Sequence, residues 1–393
     1  MTEASSPDTQ RLRDAVAFTQ DLIRCPSVTP EEGGALDLMQ EALTSLGFEC
    51  TRMTFVSEGS YEVDNLFARR GSGKGPVFGY AGHTDVVPIG DPSDWSVDPF
   101  SADIVDGRLI GRGAVDMKGS IGAFVAALAR FLDQRPDFDG DIMFIITGDE
   151  EGIGINGTKR VLEWMEEQGH RMDHCLVGEP TSNDTLGDMI KIGRRGSINF
   201  KLTVNGMQGH AAYPQLADNP VHPMVQMLTH LTTEPMDSGT EHFLPSSLQV
   251  VTVDVGNPAT NVIPAKITAN FNVRFNDIYN SDQVIAWVRE RLHRVRDDYA
   301  LEWRVSGESF LCPPGKLSDL LTASIEAVTG IRAELGTSGG TSDARFIRSH
   351  ATVAEFGLLN DTAHKVDEHC TVTELEQLSE IYEHLLEGYF PDA

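Results

Sequence analysis

Residues 197–206 read SINFKLTVNG, and this run decides the fold because Ile198, Phe200, Leu202 and Val204 alternate with polar neighbours at a period of two. A strand with one buried face and one wet face carries that pattern. Upstream the rhythm is different. PVFGYAGHTD (76–85) is an apolar run ending in a polar loop, and KGSIGAFVAALARFL (118–132) sets Ile121, Phe124, Val125, Leu128 and Leu132 at helical spacing. DIMFIIT (141–147) is a short apolar strand, and a helix near 157–168 leads to the strand CLVG (175–178). Further helices are expected near 8–24 and 34–46. Strands alternating with helices imply an α/β domain with a mostly parallel sheet, whose ligand site lies at the carboxyl ends of the strands.

Downstream of the opening run come a helix near 219–233, two more alternating strands, SLQVVTVDVG (247–256) and ITANFNVRFN (267–276), a helix near 281–296, and ALEWRVSGES (300–309). The order β-α-β-β-α-β is that of a ferredoxin-like α+β sandwich. After CPPG (312–315) the helix and strand alternation resumes. The expected organisation is therefore an inserted domain, residues 195–310, set into an α/β domain built from residues 1–194 and 311–393. A chain of 393 residues is long enough for two such cores.

The net charge of −28, from 59 acidic and 31 basic residues, argues against nucleic acid or an anionic membrane as a partner. No apolar run approaches the roughly 18 to 20 residues of a membrane span, and MTEASSPDTQ does not read as a secretory signal, so the expected address is the cytoplasm. The five cysteines are widely spaced with no CxxC pair, which points to neither a disulfide framework nor a thiolate metal site.

The residues with chemistry gather where strands end. In GHTD, His83 and Asp85 are two apart on an extended segment and point the same way, as a metal-binding imidazole and a supporting carboxylate would. In GRGAVDMKGS, Asp116 precedes the amphipathic helix, and it either caps that helix or bridges two cations, or does both. TGDEEG delivers three consecutive acids. Neighbouring side chains diverge there, so one of Glu150 and Glu151 can bind a metal while the other faces a water as general base. VGEPT adds Glu179 and NDTAH adds His364. Two imidazoles and several carboxylates make a nitrogen and oxygen donor set for zinc or a similar ion. There are too many carboxylates for one tetrahedral ion, and two metals about 3.5 to 4 Å apart fit better. His369 in VDEH is a rival ligand to His364. GTSGG does not match the GxSxG of a nucleophilic serine, and NGT at 156–158 matches a glycosylation sequon without meaning in a cytoplasmic protein.

GHTDVVP, GRGAVDMKGS, TGDEEG, VGEPT, GRRGS, GMQGHAAYP, NVIP, GTSGGTSDARFI and TAH together resemble the M20 family of dinuclear zinc amidohydrolases, in order and from about residue 10 to 385. The resemblance implies a zinc-peptidase-like catalytic domain and a homodimer formed through the inserted domain, which doubles as a lid. It implies two zinc ions per subunit, with cobalt or manganese able to substitute. His83 and Glu179 would bind one ion, Glu151 and His364 the other, and Asp116 both. Glu150 would be the general base and Asp85 the partner of His83. His210 would reach the amide oxygen across the dimer, where a donor steadies the developing oxyanion. Arg195, Asn261, Arg274, Gly340 and Thr341 would hold a small N-acyl amino acid substrate, the arginines by pairing with its carboxylates. The expected activity is hydrolysis of an amide. The acyl group stays open, and so does a relative that binds a metabolite without turning it over, although every expected ligand and the base are present.

Overall fold

The computed structural model describes residues 9–391. Within them the chain divides into two compact units, one of residues up to 192, 312–336 and from 342 on, and the other of residues 193–311 and 337–341.

The first unit is built on an eight-stranded sheet, ordered Glu49–Phe55, Val63–Gly71, Asp141–Thr147, Val77–His83, His174–Val177, Thr352–Glu355, Met189–Lys191 and Glu334–Gly336. The four central strands, from Asp141–Thr147 to Thr352–Glu355, are mutually parallel, and the flanking pairs introduce the antiparallel steps. The expected α/β class with a mostly parallel sheet is what the chain forms. Strands buried on both faces read as continuous apolar runs, and Asp141–Thr147 is buried at every position. The sequence reading passed over Glu49–Phe55 and Val63–Gly71. The first is an edge strand, buried only at Met53, and so carries little periodicity.

Helix Lys118–Gln134 is buried along nearly its whole length and packs between helices Ala15–Ile23 and Val372–Tyr389. A Cβ on Gly122 would lie 2.0 Å from Thr19 Oγ1, so the close approach of two of these helices depends on that glycine. The Phe124 ring stacks on Tyr80 at 4.0 Å and meets Phe144 and Tyr382 edge-on, at about 0.5–1.5 kcal/mol per pair beyond burial. The helix expected near 8–24 is interrupted. Residue 8 lies outside the described residues, and the remainder forms Thr9–Leu12 and Ala15–Ile23, with Asp14 capping the second by accepting from the Ala17 N–H at 3.0 Å.

The second unit has a four-stranded antiparallel sheet, ordered Ser247–Asp254, Lys266–Phe275, Gly196–Asn205 and Ala300–Gly307. Two helices, Val221–Thr233 and Ser281–His293, cover one face, and Ile198, Phe200, Leu202 and Val204 point into that core with Met224, Met227, Val284 and Val288. This is the ferredoxin-like order read from the alternation. Asn280 and Gln283 form a reciprocal cap on the second helix. Residues 337–341, assigned by sequence to the outer domain, pack in this unit instead: Thr337 Oγ1 donates to His242 O at 2.5 Å and Arg194 Nη1 to Gly340 O at 2.8 Å. Such a return is carried by backbone acceptors and leaves no residue-type pattern.

Candidate metal centre

Strand register assembles the site. His83 is level with Thr147 across the sheet, three residues before Glu150, and Ala81 is level with Val177, so that Glu179 continues its strand to the height of His83. Asp116 arrives on the loop before helix Lys118–Gln134, and His364 on the segment between strands Thr352–Glu355 and His369–Thr371. The N-cap of that helix is Met117, with no side-chain cap, so the capping role weighed for Asp116 is not the one it takes.

Instead the two oxygens of Asp116 are divided between two imidazoles. Oδ1 lies 3.2 Å from His83 Nε2, and Oδ2 lies 3.2 Å from His364 Nε2. Glu179 Oε1 is 4.0 Å from His83 Nε2, and Glu151 Oε1 is 2.7 Å from His364 Nε2. Two groups with mutually close donor atoms result, His83, Asp116 and Glu179 on one side and Asp116, Glu151 and His364 on the other, sharing Asp116. The rival His369 belongs to neither, and its Nδ1 pairs with the Asp367 carbonyl at 2.7 Å.

Charge dominates the electrostatics. Burial pulls the His83 imidazolium down, but the hydrogen bond with Asp116 and the charges of Asp85, Asp116 and Glu179 outweigh it and hold the ring well above its ordinary value. His364 is raised to about 10 by its hydrogen bonds to Asp116 and Glu151, against burial. Burial favours the neutral form of Asp116, yet hydrogen bonds from His364 and His83 prevail and keep its carboxyl below the usual range. Glu150 is pushed well above the carboxylate range by burial and then by the charge of Glu179. The cluster sets the carboxyl groups of Asp85, Asp116, Glu150, Glu151 and Glu179 against two imidazoles. Its donors are nitrogen and oxygen with no thiolate, and this composition fits two divalent cations.

Asp85 works differently from the expectation. The acceptor 2.9 Å from His83 Nδ1 is the Asp85 backbone carbonyl, whereas its carboxylate oxygen stands 3.7 Å away. That carboxylate accepts from the N–H groups of Glu150 at 3.2 Å and Glu151 at 3.0 Å and from Thr29 Oγ1 at 2.8 Å, and so holds the acidic loop. Burial raises it to about 6. The first of the three consecutive acids, Asp149, turns back into its own loop. It is 1% exposed and accepts from Tyr61 Oη at 2.6 Å and from the N–H groups of Ile153 at 3.1 Å and Asn156 at 3.3 Å. Asn156, the sequon residue, is fully buried. Sequence reasoning missed Asp149 and Tyr61, because their partners are backbone groups or lie far along the chain.

The remaining expected site residues lie in the second unit. His210 is exposed on the two-residue strand Gly209–His210, which pairs with Val262–Ile263, and Asn261 joins this turn by accepting from the Ala211 N–H at 2.9 Å. Arg274 and Arg195 are partly buried, and the Arg195 Nε has no hydrogen-bond partner. Arg274 is lowered by burial and then by the like charge of Arg195, and its Nε donates to Asn272 Oδ1 at 3.1 Å. Gly340 is exposed and Thr341 partly so.

Comparison with known proteins agrees with this architecture. The sequence profile of peptidase family M20/M25/M40 matches residues 79–388. A succinyl-diaminopimelate desuccinylase of Rhodospirillum rubrum is 55% identical over 391 residues, covering 96% of this chain and 99% of the relative. A protein of the same name from Parvibaculum lavamentivorans is 54% identical over 391 residues, with 98% of each chain covered. Among solved structures, an M20 family metallo-carboxypeptidase from Sulfolobus solfataricus superposes with a TM-score of 0.76 at 16% identity, over 96% of this chain and 99% of that one. A dinuclear metal binding peptidase of the M20 family from Bacillus subtilis gives 0.69 at 16% identity, over 96% and 98%.

Proposed function

The chain belongs to peptidase family M20/M25/M40, and on that premise we propose that it hydrolyses the amide of N-succinyl-LL-2,6-diaminopimelate to succinate and LL-2,6-diaminopimelate, a step in making lysine and peptidoglycan precursors. The observation that carries the chemistry is the division of Asp116 between His83 and His364, with Glu150 near enough to His83 and Glu179 to feel their charges. Relatives of that name at 50–55% identity over nearly the whole chain carry the substrate.

In this reading His83, Asp116 and Glu179 would hold one zinc ion and Asp116, Glu151 and His364 the second. Cobalt or manganese could replace either. Bound there, the ions supply Lewis acidity to a carbonyl and to water and offset the carboxylate charge. Glu150 takes a proton from the attacking water as the water oxygen bonds to the succinyl carbonyl carbon. It then delivers a proton to the amine nitrogen as the carbon–nitrogen bond breaks, which leaves succinate and the free amine. Asp85 keeps Glu150 in place through the backbone of the acidic loop.

His210 is assigned to the amide oxygen, and Asn261, Gly340 and Thr341 to the substrate's polar groups. Arg195 and Arg274 are assigned to its carboxylates, which is supported by Arg274 being lowered by burial and then by the like charge of Arg195, an arrangement that an anion relieves. A cytoplasmic homodimer is part of the reading. Among the described residues, no helix is long and apolar enough to cross a membrane.

The test offers zinc-loaded protein N-succinyl-LL-diaminopimelate and N-acetylornithine in parallel and follows loss of the amide. Turnover of the succinyl substrate alone, abolished by a chelator, is expected. Preference for acetylornithine would move the acyl pocket to another deacylase of the family, and turnover of neither would make the protein a metabolite binder.

A further inference from the structure

Four residues beyond His364 lies Glu368, fully buried and outside both ligand groups. Its Oε1 accepts from the N–H groups of Val115 at 2.9 Å and Asp116 at 3.1 Å, and its Oε2 from Arg112 Nη1 at 2.7 Å. Arg112 is itself only 2% exposed. Its Nη1 also donates to Lys365 O at 3.1 Å and its Nη2 to Pro88 O at 3.3 Å, and its guanidinium sits 5.1 Å from the centre of the Trp95 ring. The Gly111 N–H donates to the Glu368 carbonyl at 2.9 Å. Asp367 Oδ1 accepts from the Ser96 N–H at 2.8 Å and Oγ at 3.0 Å.

Three segments far apart in sequence thus meet at one buried ion pair: residues 88–96, residues 111–116 that deliver Asp116, and residues 364–369 that begin with His364. The last segment needs such a tie. His364 and Asp367 both stand in the left-handed region, at φ +63° and +55°, where non-glycine residues persist only when their surroundings hold them. The other ligands have sturdier seats. His83 closes a central strand, Glu179 lies two residues past one, and Asp116 leads into the buried helix Lys118–Gln134. Nor does the pair read as simple stabilisation. A buried ion pair is expensive to desolvate, and well-packed apolar residues often replace one without loss.

We propose that Arg112 and Glu368 are positioning residues for the cation held by Asp116, Glu151 and His364: they lock the His364 loop to the backbone of Asp116, so that this group is assembled before metal arrives. The group containing His83 and Glu179 meets them only through the shared Asp116, which helix Lys118–Gln134 also seats. The inference rests on the two-cation reading above.

The test strips the full-length protein with a chelator and titrates it with Co2+, following calorimetry, the visible cobalt bands and bound metal per chain. The parent binds two ions. Glu368→Gln keeps the size of the side chain but removes the charge that Arg112 pairs with. It should bind the first ion as the parent does and the second about 10- to 100-fold more weakly, with loss of the second set of bands. Activity should return as Co2+ is raised. Arg112→Lys, which keeps the charge but not the planar fork, should move the second constant in the same direction and serves if Glu368→Gln does not fold by circular dichroism. Unchanged constants in the folded variants, or equal weakening of both, would reduce the pair to a general buttress and overturn the inference. A parent that binds fewer than two ions would overturn the two-cation reading first, and the inference with it.

Discussion

The two halves of the acidic cluster are made of the same kinds of residue and differ in how they are seated. In the deep half, His83 is 1% exposed and Glu179 10%, and both hang from central strands of a parallel sheet. In the shallow half, Glu151 is 9% exposed but its partner His364 is 50% exposed, on a loop held by contacts from elsewhere in the chain. Shared Asp116 joins them. The deep half is a product of sheet register and comes nearly free with the fold, whereas the shallow half must be assembled by hydrogen bonds that the sheet does not dictate. On the two-cation reading, the deep half would be set by the sheet and the shallow, more exposed half by the loop contacts that hold His364, so the cation of the shallow half should be the one that exchanges more readily.

The sharpest cut through this comparison removes a group that belongs to neither half. Glu150→Ala should lower kcat by about 100- to 10,000-fold, the usual contribution of a general base, while metal content per chain stays as in the parent. Loss of metal in this variant would make Glu150 a ligand and redraw both halves. Next in size is the order in which cations leave. Under a chelator the parent should lose metal in two phases, and His364→Ala, holding one ion, should show only the slow phase. A single phase that removes both ions together would show that the difference in exposure has no consequence for binding.

Much of the deep half was legible in the sequence. PVFGYAGHTD and DIMFIITGDEE each announce a buried strand running into polar residues, and parallel strands of similar length must bring those ends to one edge. His364 could be read only through the family motif, since its segment has no periodicity. What stayed hidden follows one rule. Asp149, the carboxylate of Asp85 and Glu368 all accept from backbone N–H groups, and an N–H has no letter in the sequence. VDEH offers His369 as a rival ligand, yet the residue in it that touches the site is Glu368, whose partners are a backbone N–H and an arginine far along the chain. Composition cannot separate an acid that binds a cation from one that binds a loop.

Acidity offers a third way to separate the halves. In the metal-free protein the His364 imidazole is raised to about 10 by Asp116 and Glu151. Its folded value lies above the unfolded value of about 6.5, so the stability it contributes is fully present below about 6.5 and is lost as pH rises through about 10. Chelated parent should therefore show a falling Tm between those limits, and chelated His364→Ala a shallower fall. With half of the ring exposed the effect should be modest. Metal binding must run the opposite way, because the ring has to lose its proton to ligate, so affinity in the shallow half should rise with pH over the same range. Identical pH profiles for parent and variant would mean that the ring is not paired as the geometry has it.

The smallest predicted effect concerns the loop that serves both halves. Tyr61→Phe removes the hydroxyl that donates to Asp149 at 2.6 Å and accepts from the Ile153 N–H at 3.1 Å. The cost should be about 1 kcal/mol, the net worth of a hydrogen bond, read as a small drop in Tm. Asp149 keeps two backbone donors, Ile153 and Asn156, and Glu150 and Glu151 remain tethered through their own N–H groups to Asp85. Metal content and kcat should therefore stay close to those of the parent. If kcat instead fell as far as in Glu150→Ala, the acidic loop would be held from the Tyr61 side and not from Asp85, and the base would owe its position to the edge of the sheet, where Tyr61 precedes strand Val63–Gly71, instead of to the strand end that also carries His83.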